Sequence, residues 1–376
     1  MTINPLDFYN HLYINKIRFF TGVPDSLLKE FCLCIDDNIS KGDHIITANE
    51  GNAVGLASGY FLATSSIPLV YMQNSGLGNA INPLLSLCDQ EVYSIPMLLL
   101  IGWRGEPGVK DEPQHIKQGA IQTDLLSTLD IPYEIISKNA SNYKEKINKL
   151  IQIAKKRSRP TALVIKKGTF EKYGKNISNF ENTKMKREDV LNIILKNVNE
   201  DDIIISTTGK TSREIFEIRK HNNQTHEKDF LTVGSMGHCS SIALGIALKK
   251  PNRKVICIDG DGSMLMHLGS LTSITDLKPN NFYHILLNNE AHESVGGQST
   301  AAKNLNIADI ANTLGYNKSL NIEKKEELSS SLSNFLSETG PVFLEIKITV
   351  GSRDNLGRPD IAPEKNKIDF MEYLKH

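Results

Sequence analysis

Gly260-Asp261-Gly262-Ser263 sets a carboxylate between two glycines at the end of the apolar, β-branched run 255–258. Residues 263–277 then place Leu265, Leu268, Leu271 and Ile274 at helical spacing. Asn288-Asn289 closes a second apolar run, 282–287. The pattern predicts strand, tight turn, helix and strand. In an open α/β sheet both strand ends face one ligand crevice. A carboxylate and an amide oxygen, with glycines allowing close backbone approach, suit a Mg²⁺ ion that also carries diphosphate oxygens. Taken singly, each fragment is also an ordinary strand-ending turn.

Other residues offer chemistry of the same kind. Glu50, in Asn49-Glu50-Gly51-Asn52-Ala53, joins a strand to a helix rich in small residues. A carboxylate there is favoured by the helix dipole alone. Thr207-Thr208-Gly209 ends a strand with two hydroxyls, and Gly234-Ser235-Met236-Gly237 enters a second small-residue helix. Asp25 follows Pro24 where a helix opens, the place of an N-cap. Arg104 lies in the Gly- and Pro-bounded loop Gly102-Trp103-Arg104-Gly105-Glu106-Pro107-Gly108. A guanidinium held there can grip an oxyanion bidentately. His115, Lys117, Arg353 and Arg358 are further cations in loop-like segments, where a solvated position is the ordinary one. His292 lies just past the candidate metal turn, where an imidazole can return a proton.

These residues need a scaffold, and the chain supplies one by alternation. Strands are expected at 17–20, 44–47, 69–73, 97–102, 134–137 and 162–166, with helices at 26–38, 51–63, 76–88 and 141–156. From residue 187 the alternation restarts: helix 187–196, strand 202–206, helix 211–220, strand 230–233, helix 237–249, then the two strands above. Helices at 305–314 and 325–336 and a strand at 342–348 complete it. The fold class is α/β, with two doubly wound, mostly parallel sheets. Residues 172–184 lose all periodicity and read as the linker between a domain 1–175 and a domain 186–376. The polar tail from Gly351 reads as a segment ordered only in an assembly.

At 376 residues two domains are the prior, and 40% apolar with 23% charged residues is an ordinary globular composition. Lys+Arg and Asp+Glu balance at 43 each, so no global field recruits nucleic acid or an anionic membrane. No apolar run reaches spanning length and no signal pattern opens the chain, so a cytoplasmic protein is expected. The five cysteines show no paired zinc-finger spacing and read as small buried hydrophobes.

GDG followed by NN resembles the signature of thiamine diphosphate enzymes, and Asn49 to Tyr60 resembles their pyrimidine-binding segment. Gly22-Val23-Pro24-Asp25-Ser26, the loop 102–115 and Asn288 to Ser294 resemble the branch of these decarboxylases acting on 3-phosphonopyruvate, close to the sulfopyruvate branch. The resemblance covers nearly the whole chain. It implies a Mg²⁺- and thiamine diphosphate-dependent carboxy-lyase giving phosphonoacetaldehyde and CO₂ in phosphonate biosynthesis. Glu50 would contact the aminopyrimidine N1′ and relay a proton, assisted by Asp25 and His292. Gly234 would offer a carbonyl to the pyrimidine amine, and Met236 would prop the bent cofactor. Thr207, Thr208, Gly209, Gly260, Gly262 and Ser263 would line the diphosphate. Asp261, Asn289 and the Ala291 carbonyl would hold the metal. Arg104, His115, Lys117, Arg353 and Arg358 would serve a 2-oxo acid bearing a phosphonate. The resemblance further implies a homo-oligomer with active sites between subunits. Sulfopyruvate decarboxylase, another 2-oxo acid decarboxylase or carboligase, and a non-catalytic nucleotide-binding α/β protein are the alternatives. Two halves on one chain favour the phosphonate branch.

Overall fold

The computed structural model describes residues 2–174 and 185–375. They fall into two compact units. Most of the aperiodic stretch read as a linker, 175–184, lies outside the described residues.

The first unit holds a six-stranded parallel sheet of β1 (Phe20–Gly22), β2 (His44–Ile46), β3 (Leu69–Gln73), β4 (Leu98–Gly102), β5 (Tyr133–Ile136) and β6 (Thr161–Ile165). Their spatial order is β2-β1-β3-β4-β6-β5. Central β4 and β6 are buried throughout because helices cover both faces. Alternation sorts their side chains into two cores. Leu69, Tyr71, Leu98 and Leu100 join Phe8 and Phe31 on one face, while Val70, Met72, Leu99 and Ile101 join Val54 and Leu84 on the other. Each fully buried Leu, Ile or Phe contributes about 1.5–3 kcal/mol.

The second unit repeats the design with β7 (Ile203–Ser206), β8 (Asp229–Leu231), β9 (Val255–Gly260), β10 (Phe282–Asn288), β11 (Lys318–Ile322) and β12 (Val342–Lys347). The order β11-β12-β10-β9-β7-β8, read backwards, is that of the first sheet with each number raised by six. In each sheet the chain runs outward from its first strand to its second. It then returns to the other side of the first. That reversal puts a crevice at the carboxyl ends of β1 and β3 in one unit, and of β7 and β9 in the other.

Several elements depart from the sequence expectations. A helix at Pro5–Ile14 was not anticipated, although Asn4 caps it by accepting from Leu6 N–H and Asp7 N–H, with Pro5 in the first turn. Helices at Pro113–Ala120 and Gln122–Thr128 and edge strand β11 were likewise not anticipated. The single helix expected after Asp261 is two, Asp261–Met266 and Ser270–Leu277, broken around Gly269. The tail is not left to an assembly for its order: Pro363–Tyr373 is a helix packed on edge strand β8. Its Phe370 ring lies 5.5 Å from that of Phe230, and Asn366 Nδ2 donates to the Asp229 carbonyl at 3.0 Å. No helix among the described residues is long and apolar enough to cross a membrane.

Candidate active site

In the first unit Glu50 opens the helix Glu50–Thr64 just beyond β2, with Asn49 as N-cap accepting from Asn52 N–H. The Glu50 carboxylate is turned inward, 5% exposed, and its Oε2 accepts from Asn79 Nδ2 at 2.8 Å. A Cβ on Gly76 would stand 2.2 Å from Glu50 Oε1, so only glycine lets the carboxylate lie against this turn. A helix-start glutamate with a purely electrostatic role has no need of such burial.

Asp25 lies beyond β1, wholly buried against Gly102 at the end of β4. It is not the N-cap of the following helix, which starts at Lys29. Its Oδ1 accepts from Leu27 N–H at 2.9 Å, and its Oδ2 has no hydrogen-bond partner among the described residues. Burial raises its pKa to about 6, against the opposing pull of backbone N–H groups and Arg104. A carboxyl held up in this way favours the fold when protonated. That contribution is complete below the unfolded value near 3.8 and is lost as pH rises through about 6. Asp25→Asn keeps the bond to Leu27 and removes the buried charge. At pH 8 its melting temperature should exceed wild type by about 2–4 °C, the shift expected for ~1 kcal/mol in a domain of this size. The gap should close below pH 4. A variant destabilised equally at both pH values would show that Asp25 is a structural acceptor only.

Arg104 is held rather than free. Its Nε donates to Asp111 Oδ2 at 2.8 Å, Nη2 donates to Asp111 Oδ1, and Nη1 donates to Ser26 Oγ at 2.9 Å. Asn74, beyond β3, brackets its backbone: Nδ2 donates to the Arg104 carbonyl, and Oδ1 accepts from its N–H. Burial would raise the Asp111 pKa, but Arg104 and the N–H groups of Gly105 and Glu112 overcome it and hold that carboxyl far below the usual range. The guanidinium charge is thus largely balanced by Asp111. His115 lies nearby in the helix Pro113–Ala120, buried, its Nδ1 without a partner among the described residues. Burial and then Arg104 lower its pKa, so it is a neutral ring at pH 7. Lys117 is exposed on the same helix.

In the second unit the predicted turns gather around the reversal between β7 and β9. Ser263 Oγ ties two of them together, accepting from Thr207 Oγ1 at 3.0 Å and from Gly237 N–H at 3.1 Å. Thr208 Oγ1 donates to the Val233 carbonyl at 2.6 Å, fixing the turn that leads to Gly234. Gly209 has φ +98, and a Cβ there would meet nothing nearer than Ser294 Oγ at 3.8 Å. A Cβ on Gly260 would find only Thr207 Cγ2, at 3.9 Å. The crevice between Thr207–Gly209 and Gly260–Gly262 is therefore a cradle of backbone and hydroxyls with room for an anion. Met236 Cε and the His292 ring wall it at Gly262, each about 3.4 Å from where a Cβ would stand.

Asp261 is buried with Oδ2 accepting from Thr300 Oγ1, and burial raises its pKa to about 6. Asn289 is oriented from both sides: Nδ2 donates to Glu293 Oε2 at 2.9 Å, and Oδ1 accepts from Ala291 N–H at 3.1 Å. The second lone pair of Oδ1 stays available, as a metal ligand requires. Glu293 is itself clamped by Arg187 at 2.8 Å and Lys210 at 2.6 Å. Burial holds the His292 pKa down to about 4. At neutral pH this imidazole is uncharged, so it offers an N–H or a lone pair and not an imidazolium proton.

Two of the predicted cations lie elsewhere on this unit. Arg353 is paired with Glu188 and Glu217 on the helices Arg187–Asn197 and Lys210–His221 and lines a surface cavity with Asn192 and His221. Its fork holds the tail in place. Arg358 is exposed. Sequence reasoning also passed over Asn79, Asp111, Thr300 and the pair Arg187 and Lys210, which hold Glu50, Arg104, Asp261 and Glu293. Asp111 and Glu293 sat inside the quoted motifs, but nothing in the chain marks Asn79 or Thr300.

Known proteins match on both units. A family model described as thiamine pyrophosphate enzyme, N-terminal TPP binding domain, matches residues 9–128, and one described as the C-terminal TPP binding domain matches residues 207–346. The chain is 32% identical to phosphonopyruvate decarboxylase from Streptomyces viridochromogenes, over 94% of this chain and 90% of that one. It is 28% identical to sulfopyruvate decarboxylase from Methanosarcina acetivorans, over 94% of this chain and 92% of that one. The sulfopyruvate decarboxylase subunit beta from Methanocaldococcus jannaschii matches 50% of this chain and 97% of its own at 37% identity. The Methanosarcina protein also spans both units on one chain, so two halves in one chain do not favour the phosphonate branch. This chain belongs to the thiamine pyrophosphate enzymes and, within them, to the decarboxylases resembling phosphonopyruvate decarboxylase.

Proposed function

We propose that the chain decarboxylates 3-phosphonopyruvate to phosphonoacetaldehyde and CO₂, using thiamine diphosphate and Mg²⁺. The observation that carries the substrate is the 32% identity, along nearly the full length, to a phosphonopyruvate decarboxylase. When bound, thiamine diphosphate supplies the electron sink for the pair released with CO₂. Asp261, Asn289 and the Ala291 carbonyl would hold the metal. Thr207, Thr208, Gly209, Gly260, Gly262 and Ser263 would take the diphosphate, and Gly234 and Met236 the pyrimidine side. Glu50 would exchange a proton with the aminopyrimidine of the cofactor. Asp25, at home in either protonation state near pH 6, would hold or return a proton beside the substrate. His292 would donate a hydrogen bond as a neutral ring.

Arg104 is the phosphonate grip in this reading, with His115 and Lys117 flanking it. Asp111 and Ser26 fix the guanidinium and leave two of its five N–H donors uncommitted to them. Arg104→Leu should lower kcat/KM for phosphonopyruvate on the order of 10–100-fold. That is about 1.4–2.7 kcal/mol, at the low end of the roughly 2–5 kcal/mol of a fully unbalanced buried charge, because Asp111 already balances it. Pyruvate, without a phosphonate, should be affected little. Equal losses on both substrates would assign Arg104 to holding its own loop.

Sulfopyruvate is the second reading, favoured by the full-length match to a sulfopyruvate decarboxylase. Steady-state kinetics with phosphonopyruvate, sulfopyruvate and pyruvate decides between them, and a higher kcat/KM for sulfopyruvate would overturn the first. The working unit in this reading is a homo-oligomer, at least a two-fold dimer. A fully active monomer at assay concentration, seen by sedimentation, would refute that part.

A further inference from the structure

We propose that Cys239, Cys257, Asp259 and His284 form a binding site for one zinc ion in the core of the second unit. The site is separate from the cofactor crevice and independent of the reading above.

Cys257 and Asp259 are two apart on β9 and so share a face. His284 on β10 is the register partner of Cys257. Cys239 opens the helix Cys239–Lys249, which packs on that face. The two Sγ atoms are 3.5 Å apart, and one ligand atom each from Cys239, Cys257 and Asp259 fall within 4.8 Å of one another. His284 lies outside that group, and its ring must move toward the thiols to complete the site. Asp259 Oδ2 lies 3.9 Å from His284 Nε2. Zinc–sulfur bonds of about 2.3 Å in a tetrahedron put sulfurs roughly 3.8 Å apart, so the thiols need move only a few tenths of an ångström.

Burial makes the arrangement informative. All four residues are at most 1% exposed. Yet Asp259 Oδ2 and His284 Nε2 have no hydrogen-bond partner among the described residues. Their mutual separation of 3.9 Å allows only a long ion contact, a poor use of two polar atoms in a dry core that a shared ion would improve. Each side chain is meanwhile anchored by its other atom. Asp259 Oδ1 accepts from Gly260 N–H at 2.8 Å, and His284 Nδ1 lies 3.1 Å from the Tyr316 hydroxyl. The tautomer that donates from Nδ1 to Tyr316 leaves the Nε2 lone pair aimed at the cluster, the usual way a zinc-bound histidine is held. Two thiols, a carboxylate and an imidazole are a donor set zinc takes. On binding, each thiol gives up its proton to water, and the ion leaves the cluster at a net charge of −1.

The ion would join three elements at the points where they lead into the crevice. The helix it holds follows the Gly234–Met236 turn, Asp259 is two residues before Asp261, and His284 is four before Asn288. Its effect would be on the placement of those turns, with no contact to substrate.

The test uses the full chain, produced with zinc in the medium, purified without a metal column and desalted into metal-free buffer without chelator. Elemental analysis should find about one zinc per chain. Chains unfolded with chelator and refolded with Co²⁺ should show thiolate-to-cobalt charge-transfer absorption. Asp259→Asn, nearly isosteric, should retain zinc at least tenfold more weakly. Cys239→Ser with Cys257→Ser should lose both zinc and the absorption. Less than about a tenth of an ion per wild-type chain, or zinc retained by the double variant, would overturn the proposal. So would a Cys239–Cys257 disulfide found by mass spectrometry in freshly purified chains. If the double variant does not fold, wild-type stoichiometry and the cobalt spectrum decide by themselves.

Discussion

Asp261→Ala should leave a folded chain that no longer retains thiamine diphosphate, even at saturating Mg²⁺. Loss of a partner that merely orients a metal ligand costs 10–100-fold in affinity, so loss of a ligand itself should exceed roughly 100-fold. The carboxylate is also costly in the absence of a cation. Burial lifts its pKa to about 6, so the stability it lends when protonated is complete below about 3.8 and gone above about 6. At pH 7.5 the ligand-free variant should therefore melt at or above the wild-type temperature. The two proteins then separate on ligand addition. Wild type should gain about 2.7 kcal/mol at a ligand concentration one hundred times Kd, and the variant almost nothing. Thermal shift with and without Mg²⁺ and thiamine diphosphate reads both effects. A normal ligand-induced shift in the variant would remove Asp261 from the metal site.

Most of this arrangement was legible because local signals and the fold agree. Apolar runs ending in Gly-Asp-Gly, Asn-Asn and Thr-Thr-Gly gave β9, β10 and β7 together with the turns at their carboxyl ends. An open parallel sheet brings such turns together whatever the intervening sequence is. The misses have a common physical origin. Asn79 and Thr300 act through contacts made across long chain separations, Glu50 with Asn79 and Asp261 with Thr300. Periodicity carries no trace of such contacts. The same limit applied to the cations: loop position placed Arg104, Arg353 and Arg358 in one class, although Asp111 and Ser26 hold Arg104 while Glu188 and Glu217 hold Arg353. The tail helix Pro363–Tyr373 was missed for another reason. Only Phe370 of its residues is fully buried, so its apolar stripe is too thin to read.

Glu50→Gln should separate binding from turnover. The amide has the size of the carboxyl, and its oxygen can still accept from Asn79 Nδ2, so the turn against Gly76 need not move. Thiamine diphosphate affinity and melting temperature should stay close to wild type. What the amide cannot do is take up and release a proton, the task that the proposed function gives this carboxyl. Loss of acid–base assistance of this kind usually costs roughly 10²–10⁴ in rate, so kcat should fall by that factor while KM changes little. Asn79→Ala provides the calibrating control. It leaves the carboxyl in place without its fixed orientation and should lower kcat by no more than about tenfold, the scale of one hydrogen bond. A Gln variant with near-native kcat would mean that Glu50 serves the helix dipole alone. A Gln variant that loses cofactor and turnover together would mean that its charge, not its proton, is what the site uses.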